Sequence, residues 1–155
     1  MTLHRLWSHT RTTMKKLALS LLLLSLTLTA CFPRNTPAPL GADAPADNVP
    51  DIIGQYALNA TDPTHEEYGA SLFVEAGDVP NEYKMTWLLS GGIHEGMGTL
   101  EGNQLTFTWK SMEGTDQSLS GRGVYTVTVN GELYGENTVD GVDAPGLESA
   151  YPNEK

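Results

Sequence analysis

Cysteine is nearly missing from this chain. Its 155 residues hold one, Cys31, so no disulfide within the chain can staple the fold, which has to rest on an apolar core. Basic residues are scarce as well. Of nine Lys and Arg against 19 Asp and Glu, four (Arg5, Arg11, Lys15 and Lys16) precede Cys31, whereas every acid follows it. The chain from Cys31 onward therefore sets five basic against 19 acidic side chains, a net charge of −14. Such a surface repels phosphate backbones and anionic headgroups, which argues against a nucleic-acid partner and against electrostatic adhesion to lipid. Histidine beyond that point is reduced to His65 and His94. With no His-x-x-x-His or Cys/His spacing, no metal centre is expected, and both read as solvent-exposed loop side chains. No window after residue 50 keeps apolar residues at helical spacing for three turns, which excludes an amphipathic helix there.

The one long apolar run stands near the start. Met14-Lys15-Lys16 is followed by Leu17 to Ala30, 14 residues without a charge, and then by Cys31. A basic start, a short apolar middle and small residues before a cut point make a secretory signal peptide over 1–30. A spanning helix takes about 20 apolar residues, so the run is short for a lasting transmembrane anchor. Met14 is a sufficient start by itself, which leaves Met1 to Thr13 either untranslated or part of the basic region.

Leu28-Thr29-Ala30-Cys31 resembles the lipobox of bacterial lipoproteins. The resemblance implies that Cys31 carries a diacylglycerol, that the chain is cut just before it, and that acyl chains are the link to the membrane. Phe32, rather than Asp, follows the cysteine. In a bacterium with two membranes that implies the outer one; otherwise the expected address is the cell envelope.

Residues 31–50 read as a disordered tether. Pro33, Pro37, Pro39, Pro45 and Pro50 are interspersed with Ala, Asn, Asp and Gly, with hardly any apolar side chain to bury. From Asp51 to Lys155 the chain has the size of one small domain. Its pattern is alternation: Tyr83, Met85, Trp87 and Leu89 against Lys84 and Thr86; Leu105, Phe107 and Trp109 against Thr106, Thr108 and Lys110; Tyr125, Val127 and Val129 against Thr126 and Thr128. Each is a strand with one buried and one wet face. Turn signals fall at regular intervals, the sharpest being Asn130-Gly131, which suits a two-residue hairpin, with Gly102-Asn103 similar. Strands are expected at 52–59, 67–75, 82–89, 93–101, 104–111, 122–129 and 132–139, with an eighth near 147–151. Seven or eight strands joined by short turns predict an all-β, antiparallel up-and-down barrel, closed so that no edge is left exposed.

The arrangement Ile53-Gly-Gln-Tyr56, Tyr68-Gly, Tyr83-x-x-x-Trp87, Gly96-x-Gly98-x-Leu-x-Gly102 and Gly131-x-Leu133-x-Gly135 resembles a recurring pattern of bacterial exported domains of unknown function. Its layout is similar to the meander barrels of the avidin and lipocalin type. The Trp that often follows the last Gly is missing at Gly135-Glu136-Asn137. The resemblance implies a shape and not a chemistry.

Catalytic signatures are lacking. Gly96-Met-Gly-Thr-Leu-Glu-Gly places its third glycine one residue late for a dinucleotide loop, no serine sits in a Gly-x-Ser-x-Gly elbow, and Asp140-Gly-Val-Asp143 falls short of an EF-hand loop. No cofactor is implied and no enzyme is expected. The expected function is a lipid-anchored, non-catalytic binding module for a small hydrophobic molecule or an envelope component. Tyr83, Trp87, Phe107, Trp109 and Tyr125 are its candidate ligand contacts. The alternative is a structural or interaction lipoprotein in which those aromatics simply fill the barrel.

Overall fold

Side chains that alternate along the sequence become eight antiparallel strands in the computed structural model, which describes residues 38–114 and 116–153. The signal segment, Cys31 and the first part of the tether lie outside the described residues. The strands are β1 (Gly54–Thr61), β2 (Glu67–Ala76), β3 (Glu82–Leu89), β4 (Gly92–Glu101), β5 (Gln104–Gly114), β6 (Ser120–Val127), β7 (Leu133–Val139) and β8 (Gly146–Pro152). Each pairs with the next, and β8 returns to β1, with Leu58 opposite Ala150, so the sheet is a closed up-and-down barrel. Closure leaves no unpaired strand edge.

Eight strands give an interior just wide enough for side chains to fill. The inward residues Tyr56, Leu72, Met85, Leu105, Phe107, Val127 and Leu133 are buried and form the core. Aromatic rings fit because glycines face them. A Cβ on Gly96 would stand 3.0 Å from the Trp87 ring, and one on Gly121 would stand 2.7 Å from the indole of Trp109. Here glycine serves close approach of a ring to the backbone of the neighbouring strand.

The two ends of the barrel differ. At one end, the β4–β5 and β6–β7 turns meet the segment before β1. The Ala44 amide donates to the Val127 carbonyl at 2.9 Å, the Val129 amide donates to Ala42 at 2.8 Å, and Asn103 Nδ2 donates to the Ala44 carbonyl at 2.9 Å. Ala44 and Ile52 are buried, and Ile52 accepts from the Tyr56 hydroxyl at 2.7 Å. The tether read from the sequence therefore ends sooner than Pro50: the packed unit begins at Pro39. Its few apolar side chains suffice because they plug a hole that the barrel already provides.

One turn differs in detail from the sequence reading. Gly131 has φ 80°, Asn130 keeps a negative φ, and the Gly131 amide donates to Thr128 at 3.0 Å. This is a three-residue loop with one left-handed glycine and not the two-residue turn that Asn-Gly suggests. Thr128 is held by its bridge to Asp43, which fixes where β6 ends. At Gly102-Asn103 the positive φ of 57° falls on the first central residue, as a type II′ turn requires.

Candidate functional site

The other end of the barrel is open. A cavity of about 400 Å³ enters between the β1–β2, β3–β4, β5–β6 and β7–β8 loops. Its wall includes Tyr68, Trp87, His94, Trp109, Asn137 and Glu148, one or more from most strands. Antiparallel pairing brings them level: Tyr68 from β2 and Glu148 from β8 both lie opposite Ala60 of β1, while Trp87 faces His94 across β3 and β4.

Glu148 is the centre of this group. It is only 3% exposed, although it is an acid. Burying a carboxylate is costly unless hydrogen bonds replace the lost water, and three donors do so here. Its Oε1 accepts from the Tyr68 hydroxyl at 2.8 Å and from Asn137 Nδ2 at 2.9 Å, and its Oε2 accepts a short bond from the Tyr125 hydroxyl. The network continues outward. Trp87 Nε1 donates to the Tyr125 oxygen at 3.3 Å, and Trp109 Nε1 donates to Asn137 Oδ1 at 2.6 Å. With its oxygen occupied by an indole N–H, the Asn137 amide has to turn its NH₂ toward Glu148. No buried side-chain nitrogen or oxygen among the described residues lacks a partner.

Burial, reinforced by the Glu148 carboxylate, pushes the hydroxyls of Tyr68 and Tyr125 well above the ordinary tyrosine value, so both remain donors at neutral pH. His94 is shifted the other way. Burial lowers its pKa from the usual 6.5, against an opposing pull from Glu148. Its ring is stacked on Trp109, with centroids 4.5 Å apart and planes 11° from parallel. The expectation of a solvent-exposed loop histidine is therefore corrected for His94. The β3–β4 turn is tight, β4 begins at Gly92, and His94 falls on the inward face with Gly96 and Gly98. His65 is exposed, at φ 68° in the β1–β2 loop.

The five candidate aromatics do not act as one group. Trp87 and Trp109 line the cavity. Phe107 and Tyr125 lie beneath it, at most 1% exposed, with ring centroids 4.6 Å apart. Tyr125 still reaches the floor through its hydroxyl. Tyr83 is at the plugged end, where β3 begins, packed against the edge of the core. Four wall residues, Tyr68, His94, Asn137 and Glu148, are not among the ligand contacts expected from the sequence. No sequence signal marks Glu148: in β8 Leu147 is 57% exposed and Glu148 is buried, the reverse of their usual places.

Chemically, the site offers one desolvated carboxylate, one amide, one phenol, one imidazole and two indoles around an open volume, with the Tyr125 phenol beneath. Ser111 also lines it, but among the described residues no hydrogen bond joins its hydroxyl to His94, so the pair is not arranged as a nucleophile and base. No three His, Cys, Asp or Glu side chains among the described residues converge as a metal site. No known family model matches the chain, and no curated protein matches its sequence.

Proposed function

We propose that this chain is an exported, lipid-anchored protein of the cell envelope, held through Cys31, whose barrel is a non-catalytic binding module for a small molecule. The observation that carries the binding part is the 400 Å³ cavity, with Trp87 and Trp109 in its wall and a hydrogen-bonding floor of Asn137 and Glu148. Concave sites with mostly apolar walls and a few converging polar groups are the usual form of small-ligand pockets. The ligand this geometry supports has a flat apolar body, to lie against the indoles, and a polar head, to meet the floor. The plugged half of the barrel supplies rigidity and takes no part in contact with it.

The anchoring part rests on Leu28-Thr29-Ala30-Cys31 and the signal-like run before it. Cys31 is the chain's only thiol, so replacing it removes the sulfur that a thioether-linked diacylglycerol requires. Cys31→Ser should move the protein from the membrane pellet to the soluble fraction, and persistent membrane association of the variant would refute the anchor. For the cavity, native mass spectrometry of the purified protein should find a small molecule carried along, which Trp87→Ala loses while the barrel remains folded. An empty barrel in every preparation, together with no quenching of Trp fluorescence by indole up to its solubility, would leave an interaction protein without a ligand.

A further inference from the structure

Resting on the reading of the cavity as a ligand site, we propose that it selects cations: an amine or guanidinium on a flat apolar body, with the Glu148 carboxylate as its counter-ion. A buried acid is ordinarily matched by a basic side chain. The cavity wall contains no Lys and no Arg. Lys84, Lys110 and Arg122 are exposed residues of β3, β5 and β6, alternating with the inward ones and so directed away from the interior. The Glu148 oxygens are stabilised by neutral donors alone.

Those donors also leave room. Oε1 accepts two hydrogen bonds, from Tyr68 and Asn137, which uses both of its lone pairs. Oε2 accepts one, from Tyr125, and keeps a lone pair unclaimed. A ligand N–H placed there would complete the carboxylate and supply the missing charge together. Such charge-assisted bonds are roughly twice as strong as neutral ones.

The rest of the wall agrees in sign. Asp62 and Asp116 stand at the mouth, each carboxyl lowered from its ordinary value by hydrogen bonds within its own loop, Asp62 chiefly by the Glu66 amide and Asp116 chiefly by the Ser118 hydroxyl. Both are therefore negative at neutral pH. His94, the single group in the wall able to turn positive, is kept toward its neutral form by burial. Indole faces attract cations through their quadrupole. An anionic ligand would meet repulsion at the rim and again at the floor. A neutral one would leave the charge of Glu148 uncompensated.

Two matched series test the choice: tryptamine, indole-3-ethanol and indole-3-propionate on one body, and benzylamine, benzyl alcohol and benzoate on the other, each titrated calorimetrically into the purified protein at pH 7.5. The amines should bind at least about tenfold more tightly than the alcohols, as one charge-assisted hydrogen bond would produce, and the acids should bind weakest. Glu148→Gln should erase the advantage of the amines over the alcohols. The ranking on the unaltered protein stands without that variant, should Gln disturb the fold. Alcohols or acids that bind as well as the amines would overturn the charge selection and leave the cavity as a ligand site. No binding by any of the six at millimolar concentration would overturn both.

Discussion

The imidazole of His94 lies flat on the indole of Trp109, ring centres 4.5 Å apart, although the two residues are not directly opposite in the sheet. Cross-strand pairing sets Trp109 against Gly96 and His94 against Ser111, so the rings meet diagonally over the small side of the glycine. A shift of register next to Ile93 and His94 accompanies this contact. The stack dries one side of the cavity and holds the indole N–H on Asn137.

The drying predicts a low histidine. In an NMR titration the His94 ring protons should show a midpoint below the ordinary 6.5. The folded form then binds this proton less readily than the unfolded chain, so His94 costs no stability above the unfolded value and an increasing amount as pH falls from about 6.5 toward the folded value. Urea unfolding between pH 7 and pH 5 should show that loss, and His94→Gln should flatten it. A midpoint at or above the ordinary value would contradict the burial of the ring.

Trp109→Phe keeps a ring for the stack and removes the N–H that Asn137 Oδ1 accepts at 2.6 Å. Asn137 is half-buried, so leaving this acceptor unsatisfied should cost at most about 1–3 kcal/mol. The midpoint of urea denaturation should fall accordingly with an unchanged slope, and a variant as stable as the parent would show that the bond is replaced by water.

Gly121→Ala would bring a methyl group within 2.7 Å of the Trp109 ring and onto the Thr138 carbonyl oxygen. The neighbour is backbone, which gives little, so the overpacking should cost about 1–3 kcal/mol. Gly131→Ala offers a contrast: its Cβ would meet nothing, yet φ is 80°, and any loss there is conformational. Thermal unfolding of the two variants separates steric from backbone effects.

Glu132 clips the plug in place. Burial pushes its carboxyl up, but hydrogen bonds from the Thr128 hydroxyl, the Gly41 amide and Asn130 outweigh it, and the net effect holds the group below its usual 4.5. Its stabilisation is therefore present above about pH 4.5 and lost as pH falls through the lower folded value. Glu132→Ala should speed hydrogen exchange at the Gly41 and Ala44 amides while leaving the amides of β2 and β3 protected. Uniform acceleration across all strands would instead mean that the plug and barrel open together.

Much of this architecture is legible in the sequence, for a physical reason. In β3 and β5 the inward residues Met85, Trp87, Leu105, Phe107 and Trp109 are large and apolar and Lys84, Thr106, Thr108 and Lys110 face out, so period two is plain, and the strand at 82–89 is found with the same bounds in the structure. The eighth strand, expected near 147–151, spans Gly146–Pro152. The cavity was not legible because its wall breaks the rule by which strands are read. In β4 the inward positions are His94, Gly96 and Gly98, small or polar side chains that leave space for the rings opposite, and in β8 an acid faces in while Leu147 faces out. A buried Glu has no mark in one dimension: only closure of β8 onto β1 brings Tyr68, a residue 80 positions away, to its carboxylate.

The segment through Ala44 and Ile52 also decides what kind of vessel the barrel is. A cylinder stoppered at its base is a beaker and not a pipe: a solute leaves by the opening through which it came, and none can be passed along the axis. Both the incoming chain at Ile52 and the outgoing chain at Asn153 are gathered at the base, so lengthening or trimming either tail leaves the brim unobstructed.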